Sequence, residues 1–580
     1  MKRLLIYLKA YKKESILGPL FKLLEASFEL LVPLVMAAVI DKGIANRDTG
    51  YVVRMCLVMV ALGVVGLICS VTAQYFAAKA AVGFATGVRH ALFSHIQKLS
   101  YTEIDTLGTS TMITRMTSDV NQAQSGVNMT LRLFLRSPFI VFGAMCMAFT
   151  INVRAAMVFV VTIPLLSVVV FGIMMITMPL YKKVQAGLDR VLGTTRENLT
   201  GVRVLRAFNK EEEERKRFSA RNTELTRLQV FAGRISALMN PFTYVIINGA
   251  VVVLIWTGAV QVDSGVISQG QVVALVNYMS QILVELIKLA NLIITITKAL
   301  ACAGRIGAVL ETESSMAAPE KWEGDERSEK GTVKFLNVSL IYKNAGAESL
   351  SNISFQANRG ETIGVIGGTG SGKTSLVNLI PRFYDATGGE VLVDGVNVKE
   401  YPFPVLREKI SVVPQKAVLF KGTIRDNLKW GKDNATEEEL WEALELSQAK
   451  EFVEKKEEGL DTPISQGGKN LSGGQRQRLT IARALVKKPE ILILDDSASA
   501  LDFATDANLR KAIRGMKERL TVFIVSQRAS SVRYADQIIV LEDGEVAGIG
   551  SHHQLLADCA VYQEIYYSQF PKEVKSYGEN

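Results

Sequence analysis

Cysteine is scarce in this sequence, with five residues, Cys56, Cys69, Cys146, Cys302 and Cys559, among 580. They are scattered, three of them in apolar runs, without the paired spacing of a metal site or a disulfide framework, and read as buried structural thiols. Also missing is the short apolar core followed by a small-residue cleavage site that marks a secretory leader. The N-terminus, MKRLLIYLKAYKKE, is basic and runs into a first apolar stretch, as a cytoplasmic lead-in to a retained span does. Histidine is rarer still, limited to His90, His95, His552 and His553. Acidic excess is absent too, the net charge being +9. Lys and Arg fall largely beside the hydrophobic runs, as the positive-inside rule expects, so the charge reads as topology and no nucleic acid partner is expected.

What is present divides into two unlike halves. The chain is too long for one ordinary domain. A mean hydropathy of +0.21 alone permits a soluble protein, but the apolar residues concentrate before about residue 300 in runs long enough to cross a bilayer. Six spans are expected near 15–40, 53–78, 132–151, 155–180, 237–259 and 270–300. The short intervals 41–52, 152–154 and 260–269 hold few basic residues, whereas 79–131 and 181–236 are long and rich in them. That asymmetry puts the N-terminus, both long loops and the C-terminal half in the cytoplasm. Within the long loops, GVRHALFSHIQKL and EEEERKRFSARNTELTRL keep apolar residues at helical spacing, which predicts helices continuing beyond the membrane. A break in each hairpin, at 105–120 and 197–214, is placed to offer a short cross-piece to a cytoplasmic partner.

Charges inside the spans are the next signal. Glu25 and Glu29 lie four residues apart and share one face of the first span. Ionised carboxylates are costly at that depth and normally face a bundle interior or a wet cavity. They are candidates to meet a cationic or otherwise hydrophobic small-molecule substrate. Local pairing is the competing reading, since Lys22 precedes Glu25 by three residues and Lys288 follows Glu285 by three. Beyond the spans, 308–331 is polar, highly charged and contains Pro319, which reads as a linker. The domains expected are therefore 1–307 in the membrane, 308–331 as linker, 332–572 as a soluble α/β unit and 573–580 as a tail.

The soluble half opens its chemistry with ETIGVIGGTGSGKTSLVNLI, a β-run, a Gly-rich turn and an apolar helix. Gly367, Gly372, Lys373 and Thr374 fit G-x-x-x-x-G-K-[ST], with Gly368, Thr369, Gly370 and Ser371 between them and Ser375 following. Glycines let the backbone wrap phosphates while its N–H groups supply positive potential. Lys373 is then placed for the β and γ phosphates and Thr374 for magnesium. Further on, EILILDD delivers Asp495 from a buried strand to a magnesium-holding position. Between them, NLSGGQRQRLTIARAL has a Ser–Gly–Gly turn opening a helix. One phosphate loop does not need this second anion-facing helix start, whereas a dimer in which it caps another subunit's nucleotide does.

With these motifs in this order, the chain resembles the ATP-binding cassette transporters, specifically exporters that fuse a six-helix membrane bundle to an α/β P-loop domain as a half-transporter. The matching elements are the Walker A loop Gly367 to Thr374, the Q-loop Gln415, the signature Leu471, Ser472, Gly473, Gly474 and Gln475, the Walker B Asp495, and the D-loop Ser499 to Asp502. The resemblance implies ATP and Mg2+ as cofactors, with Gln415 joining Thr374 and Asp495 at the metal and Tyr342 stacking on adenine. It also implies that the two cross-pieces are coupling helices, and that spans 4 and 5 reach across to a partner subunit in a bacterial plasma membrane.

Two positions depart from active members of that family. Asp496 stands where a glutamate usually polarises the attacking water, and Gln527 stands where a switch histidine is expected. Asp retracts the carboxylate by roughly 1 Å, and a displacement of that size costs about a hundredfold in rate. The Gln amide still hydrogen-bonds a phosphate but never becomes cationic. Gln466, ahead of the signature, replaces a glutamate common in homodimeric relatives. A degenerate site that binds ATP and hydrolyses it slowly is expected, in a heterodimer whose second half-transporter supplies the Walker B glutamate and switch histidine. Alternatives are a slow homodimer and a non-pumping ATP-gated regulator. Membrane lipid and a lipophilic drug, lipid or peptide complete the expected partners.

Overall fold

A computed structural model describes residues 4–319, 321, 331–343, 345–497, 499–516 and 520–570. The expected tail 573–580 and the linker stretch 322–330 lie outside the described residues. The chain forms two compact units, one from residues up to 97 and 109–312, the other from 98–108 and 313 onward.

Among its described residues the first unit is built of helices and the turns between them, and six helical segments there are long and apolar enough to cross a membrane. Their boundaries follow from capping chemistry. Asp48 accepts from the Tyr51 N–H at 2.9 Å and starts a helix that runs unbroken from Thr49 to Ile96. At 1.5 Å per residue that is about 72 Å, more than twice a hydrocarbon core of about 30 Å, so it extends well beyond the bilayer. Asn152 caps Val153–Thr200 in the same way. Ser268 and Gln271 form a capping box at the head of Gln269–Leu310, and Asp41, at the end of the first span, accepts from the Gly270 N–H at 2.8 Å. Only glycine fits there, because a Cβ on Gly270 would lie 2.4 Å from the Ala37 carbonyl.

Packing between spans uses small side chains, since apolar burial gives helices little reason to associate in lipid. Ala73, Ala77, Ala80 and Ala81 lie buried along one face of the second span, where Gly18 lets the first span approach closely. Hydroxyls inside the spans bond their own helix, as Thr162 does to the Val158 carbonyl at 2.7 Å, which removes an unsatisfied donor from an apolar setting. Two thiols expected to be buried, Cys56 and Cys146, are instead exposed. Both sit on faces of their spans that turn away from the helix bundle, where apolar character no longer implies a protein neighbour.

The two long hairpins each carry a short helix. The second, Val202–Ala207, lies within the stretch expected to break. The first is displaced from expectation: it is Tyr101–Leu107, and most of 105–120 is already helix. Ser100 in extended backbone starts it and Gly108, at φ +75°, ends it. The break itself, at Gly108, lies inside the expected stretch and is one left-handed glycine wide, helix resuming at Thr109.

The second unit is built on a six-stranded sheet, ordered Glu545–Gly550, Gln537–Glu542, Thr362–Gly367, Thr521–Val525, Ile491–Asp495 and Ile410–Val413. Only the outermost Glu545–Gly550 is antiparallel to its neighbour. Every residue of Thr362–Gly367, Ile491–Asp495 and Thr521–Val525 is buried, as strands covered on both faces must be, which is why ETIGVIG, EILILD and TVFIV read as continuous apolar runs. A four-stranded antiparallel sheet, ordered Leu350–Ala357, Val333–Leu340, Gly388–Val393 and Val396–Asn397, packs beside it. Register aligns Val525 with both Asp495 and Val365, so the C-terminal ends of these three adjacent strands meet at one sheet edge, where open α/β sheets place their ligands.

Candidate functional site

That edge holds a cavity of about 240 Å³. Its border brings together Thr369, Gly370, Gly372, Lys373, Thr374 and Ser375 from the Gly-rich loop, Gln415 from the segment after Ile410–Val413, Asp495 and Asp496 at the end of Ile491–Asp495, and Gln527. Gly367, Gly368 and Ser371 complete the loop. A Cβ on Gly367 would meet the Leu541 carbonyl at 2.2 Å, and Gly370 and Gly372 take φ of +85° and +92°. The motif's glycines are therefore required by this backbone, not merely compatible with it.

Lys373 is buried and donates to the Gly367 carbonyl at 3.0 Å, to the Gly368 carbonyl and to Ser371 Oγ at 3.3 Å. Burial pushes its ammonium down from the usual lysine range, against the pull of Asp496 and Asp495. Thr374 Oγ1 donates to both oxygens of Asp495, at 3.1 and 3.0 Å. Burial pushes the Asp495 carboxyl up, and the Thr374 hydroxyl works in the opposite sense. A low-dielectric site holding a cation and two carboxylates is suited to a polyanionic ligand with a divalent counter-ion.

Asp496 takes φ +44°, its N–H donates to the Val525 carbonyl at 2.9 Å, and Gln415 Nε2 reaches its carboxylate at 3.4 Å. Gln527 is exposed on the adjoining loop. That loop is held through its backbone, since Gln569 accepts from the Ala529 N–H at 2.9 Å and donates to the Gln527 carbonyl at 2.8 Å. Tyr342 is half-buried, with its hydroxyl donating to Ser375 Oγ at 2.9 Å.

Leu471, Ser472, Gly473, Gly474 and Gln475 do not border this cavity. Ser472 caps Gly473–Val486, exchanging bonds with Gln475 at 3.2 and 3.0 Å. Asp502 likewise caps Phe503–Arg514, accepting from the Thr505 N–H at 2.8 Å. Sequence reasoning missed Ser349 and Ser526 on the cavity border and Gln569 behind the loop. Ser526 directly precedes Gln527, and that adjacency is the signal that could have found it, whereas Ser349 and Gln569 arrive from separate segments with no recognisable local pattern.

Of the two acids on the first span, Glu29 borders a second cavity, of about 500 Å³, together with Glu285, Lys288, Asn277 and Gln281. Glu25 does not; it pairs with Lys22. The unexpected member is Arg136, whose guanidinium lies 2.6 Å from Glu285 and 2.6 Å from Glu29, and 4.0 Å from Glu25.

A phosphate-type cavity in one unit and six membrane-crossing helices in the other define the class, a membrane translocase driven by nucleotide. Comparison with known proteins gives the family. Residues 15–286 match the ABC transporter transmembrane region and residues 350–499 match the ABC transporter domain, and the chain belongs to this family as an exporter with fused membrane and ATPase parts. It is 38% identical, over 97% of each chain, to an uncharacterized ABC transporter ATP-binding protein of Mycobacterium tuberculosis. It is 31% identical, over 98% of each, to a Bacillus subtilis protein named for multidrug export, YgaD. A solved bacterial Atm1-family ABC exporter with ATP bound shares the fold, with a TM-score of 0.79, 22% identity and coverage of 96% of this chain and 98% of that one. The protein is thus a multi-pass membrane ATPase that couples ATP binding to transport.

Proposed function

We propose that this chain is one half of a heterodimeric exporter. Its own Walker residues form a site that holds ATP and hydrolyses it slowly, while Leu471–Gln475 complete the catalytic site of a partner half-transporter carrying a Walker B glutamate and a switch histidine. The observation that carries this reading is the presence of Asp496 and Gln527 on the same cavity border as Lys373, Thr374 and Asp495. Phosphate-loop residues and Asp495 line that border, whereas both groups nearest to hydrolysis are substituted. General-base assistance is worth about 10² to 10⁴ in rate, so two weakened positions separate binding from turnover.

In this reading Lys373 and the backbone of Gly368 to Gly372 bind phosphates, Ser375 lies at the loop's end, and Tyr342 faces the base. The oxygen donors of Thr374, Asp495 and Gln415 fit Mg2+, which favours few protein ligands plus phosphates and would supply charge neutralisation there. Asp502 belongs to the shared interface. The membrane unit moves lipophilic compounds, drugs, lipids or peptides outward across a bacterial plasma membrane, and the multidrug name of YgaD supports the drug among these. The nucleotide unit and N-terminus face the cytoplasm.

The test is ATPase activity of the full chain purified with its partner half-transporter. Glu→Gln at the partner's Walker B position abolishes turnover, whereas Asp496→Asn leaves most of it. The reverse pattern would refute the assignment, and full activity of this chain alone, lost in Asp496→Asn, would establish a homodimer instead.

A second expected result concerns Ser472→Ala. Loss of an N-cap serine costs about 1 kcal/mol of helix stability, a small shift in Tm. Turnover falls by at least about tenfold, because a donor to the partner's nucleotide is lost. Unchanged turnover with a lowered Tm would show that Ser472 serves only its own helix.

A further inference from the structure

We propose that Tyr384 ties the base-binding end of the nucleotide site to the short helix Tyr101–Leu107, so that adenine, and not the phosphates alone, sets how firmly that helix is docked. The inference rests on the reading of Tyr342 as the residue that stacks on the base.

Residues 98–108 belong to the same compact unit as the nucleotide-binding residues, and the contact chain between them is continuous. The Tyr384 hydroxyl donates to the Asp105 carboxylate at 2.6 Å. Tyr101 packs its ring on Phe383 at 4.9 Å and on Tyr384 at 6.0 Å. On its other side Tyr384 meets Tyr342 edge-on, with centroids 5.0 Å apart and planes at 89°. Tyr342 in turn donates to Ser375 Oγ, which borders the phosphate cavity. Burial first, and then the Asp105 carboxylate, push the Tyr384 phenol well up, so it remains a donor at every physiological pH.

A ring that stacks on a base must present its face in a fixed plane, and an edge-to-face neighbour is what fixes a plane. Tyr384 is itself fixed by a bond to a charged acceptor, stronger than a neutral one. Removing that anchor frees Tyr342 to tilt, and binding to a less organised platform is weaker. Linkage makes the effect reciprocal: whatever Asp105 contributes to base affinity, the base contributes to docking of the helix.

The structure also supplies a control. Glu103, on the same helix, is 2% exposed and accepts from Ser315 N and Oγ, each at 3.3 Å. This second tether holds the helix without passing through any aromatic ring.

The experiment uses the full-length chain in nanodiscs with two probes, Mg-ATP and Mg-tripolyphosphate, which lacks the base. Tyr384→Phe and Asp105→Asn each weaken ATP binding about three- to tenfold and change tripolyphosphate binding less than about twofold. In the unmodified chain ATP slows deuterium uptake over residues 98–108 and tripolyphosphate does not, and both variants lose that difference. Ser315→Ala loosens the segment with either probe and leaves the ratio of the two affinities unchanged. Equal weakening of both probes, or weakening of neither, overturns the proposal, as does equal protection by tripolyphosphate. Tyr342→Ala separates the two layers. If it leaves the preference for ATP intact, the reading of Tyr342 fails; if it removes the preference while Tyr384→Phe does not, only the link through Tyr384 fails.

Discussion

Restoring both altered positions, Asp496→Glu together with Gln527→His, is expected to raise hydrolysis at this chain's own site by about a hundredfold or more. The measurement is ATP turnover of the complex whose partner site is silenced by Glu→Gln, so that the remaining rate reports this site. Glutamate advances the carboxylate from the Asp496 backbone by roughly 1 Å toward the phosphates, and imidazole restores a group that becomes cationic near neutral pH. Each single change yields less than its share, because groups acting on one water and one phosphate are not additive. The backbone predicts a side effect. Asp496 stands at φ +44°, a region that Asp and Asn tolerate better than longer residues. Glutamate there costs about 1 kcal/mol, visible as a lower Tm with ATP affinity retained. The histidine carries no such cost, since the loop is held by Gln569 through the backbone on either side of Arg528. A double variant that binds ATP and still turns over no faster would place the defect elsewhere, and would remove the basis for separating a holding site from a hydrolysing one.

Much of this architecture is legible in the sequence because it is local. The inner strands announce themselves as unbroken apolar runs, and the phosphate loop is a contiguous turn in which Gly367 is demanded by a close approach and Gly370 and Gly372 by a left-handed φ. Spans are legible for the same reason: length and apolarity are properties of one segment. What sequence could not place are groups that meet from afar. Ser349 precedes one strand and Gln569 ends a distant helix, and no spacing rule connects them to the loop; Ser526 is the exception, directly before Gln527. The short helix at Tyr101–Leu107 was displaced because its limits depend on two backbone torsions, at Ser100 and Gly108, not on composition. Arg136 is the instructive case. It stood in plain sight at the start of an otherwise apolar span, and an ionised residue there requires partners. Those partners, Glu29 and Glu285, are 107 and 149 residues away in sequence, so the pairing appears only in three dimensions.

Arg136→Met is expected to be the most destabilising single change in the membrane unit. Truncating one member of a buried ion cluster typically costs about 3–5 kcal/mol, because the groups left behind keep their desolvation penalty and lose their compensation. Here the loss is shared among three acids. Glu285 keeps Lys288 at 2.8 Å and Ser137 at 2.8 Å, Glu25 keeps Lys22, and Glu29 has Arg136 as its ion-pair partner among the described residues. Arg136→Lys recovers only part of the loss, since a point charge does not reproduce a planar fork that reaches Glu285 and Glu29 through separate nitrogens. Adding Glu29→Gln to Arg136→Met recovers a smaller part, because it removes the acid with least compensation but leaves Glu285 without the guanidinium. The order of thermal stability, followed by tryptophan fluorescence in micelles, is therefore unmodified chain, then Arg136→Lys, then Arg136→Met with Glu29→Gln, then Arg136→Met alone. This ordering also bears on the cavity that Glu29 borders. Lys22, Arg136 and Lys288 balance Glu25, Glu29 and Glu285 in number, so the cluster presents dipoles and one partly accessible carboxylate to a ligand, not a free anionic field. A cationic compound binding there competes with Arg136 for Glu29, and Glu29→Gln weakens its transport while sparing neutral compounds. Equal stability of Arg136→Met and the unmodified chain would mean that the acids do not depend on the guanidinium for compensation, and the competition argument would fall with it.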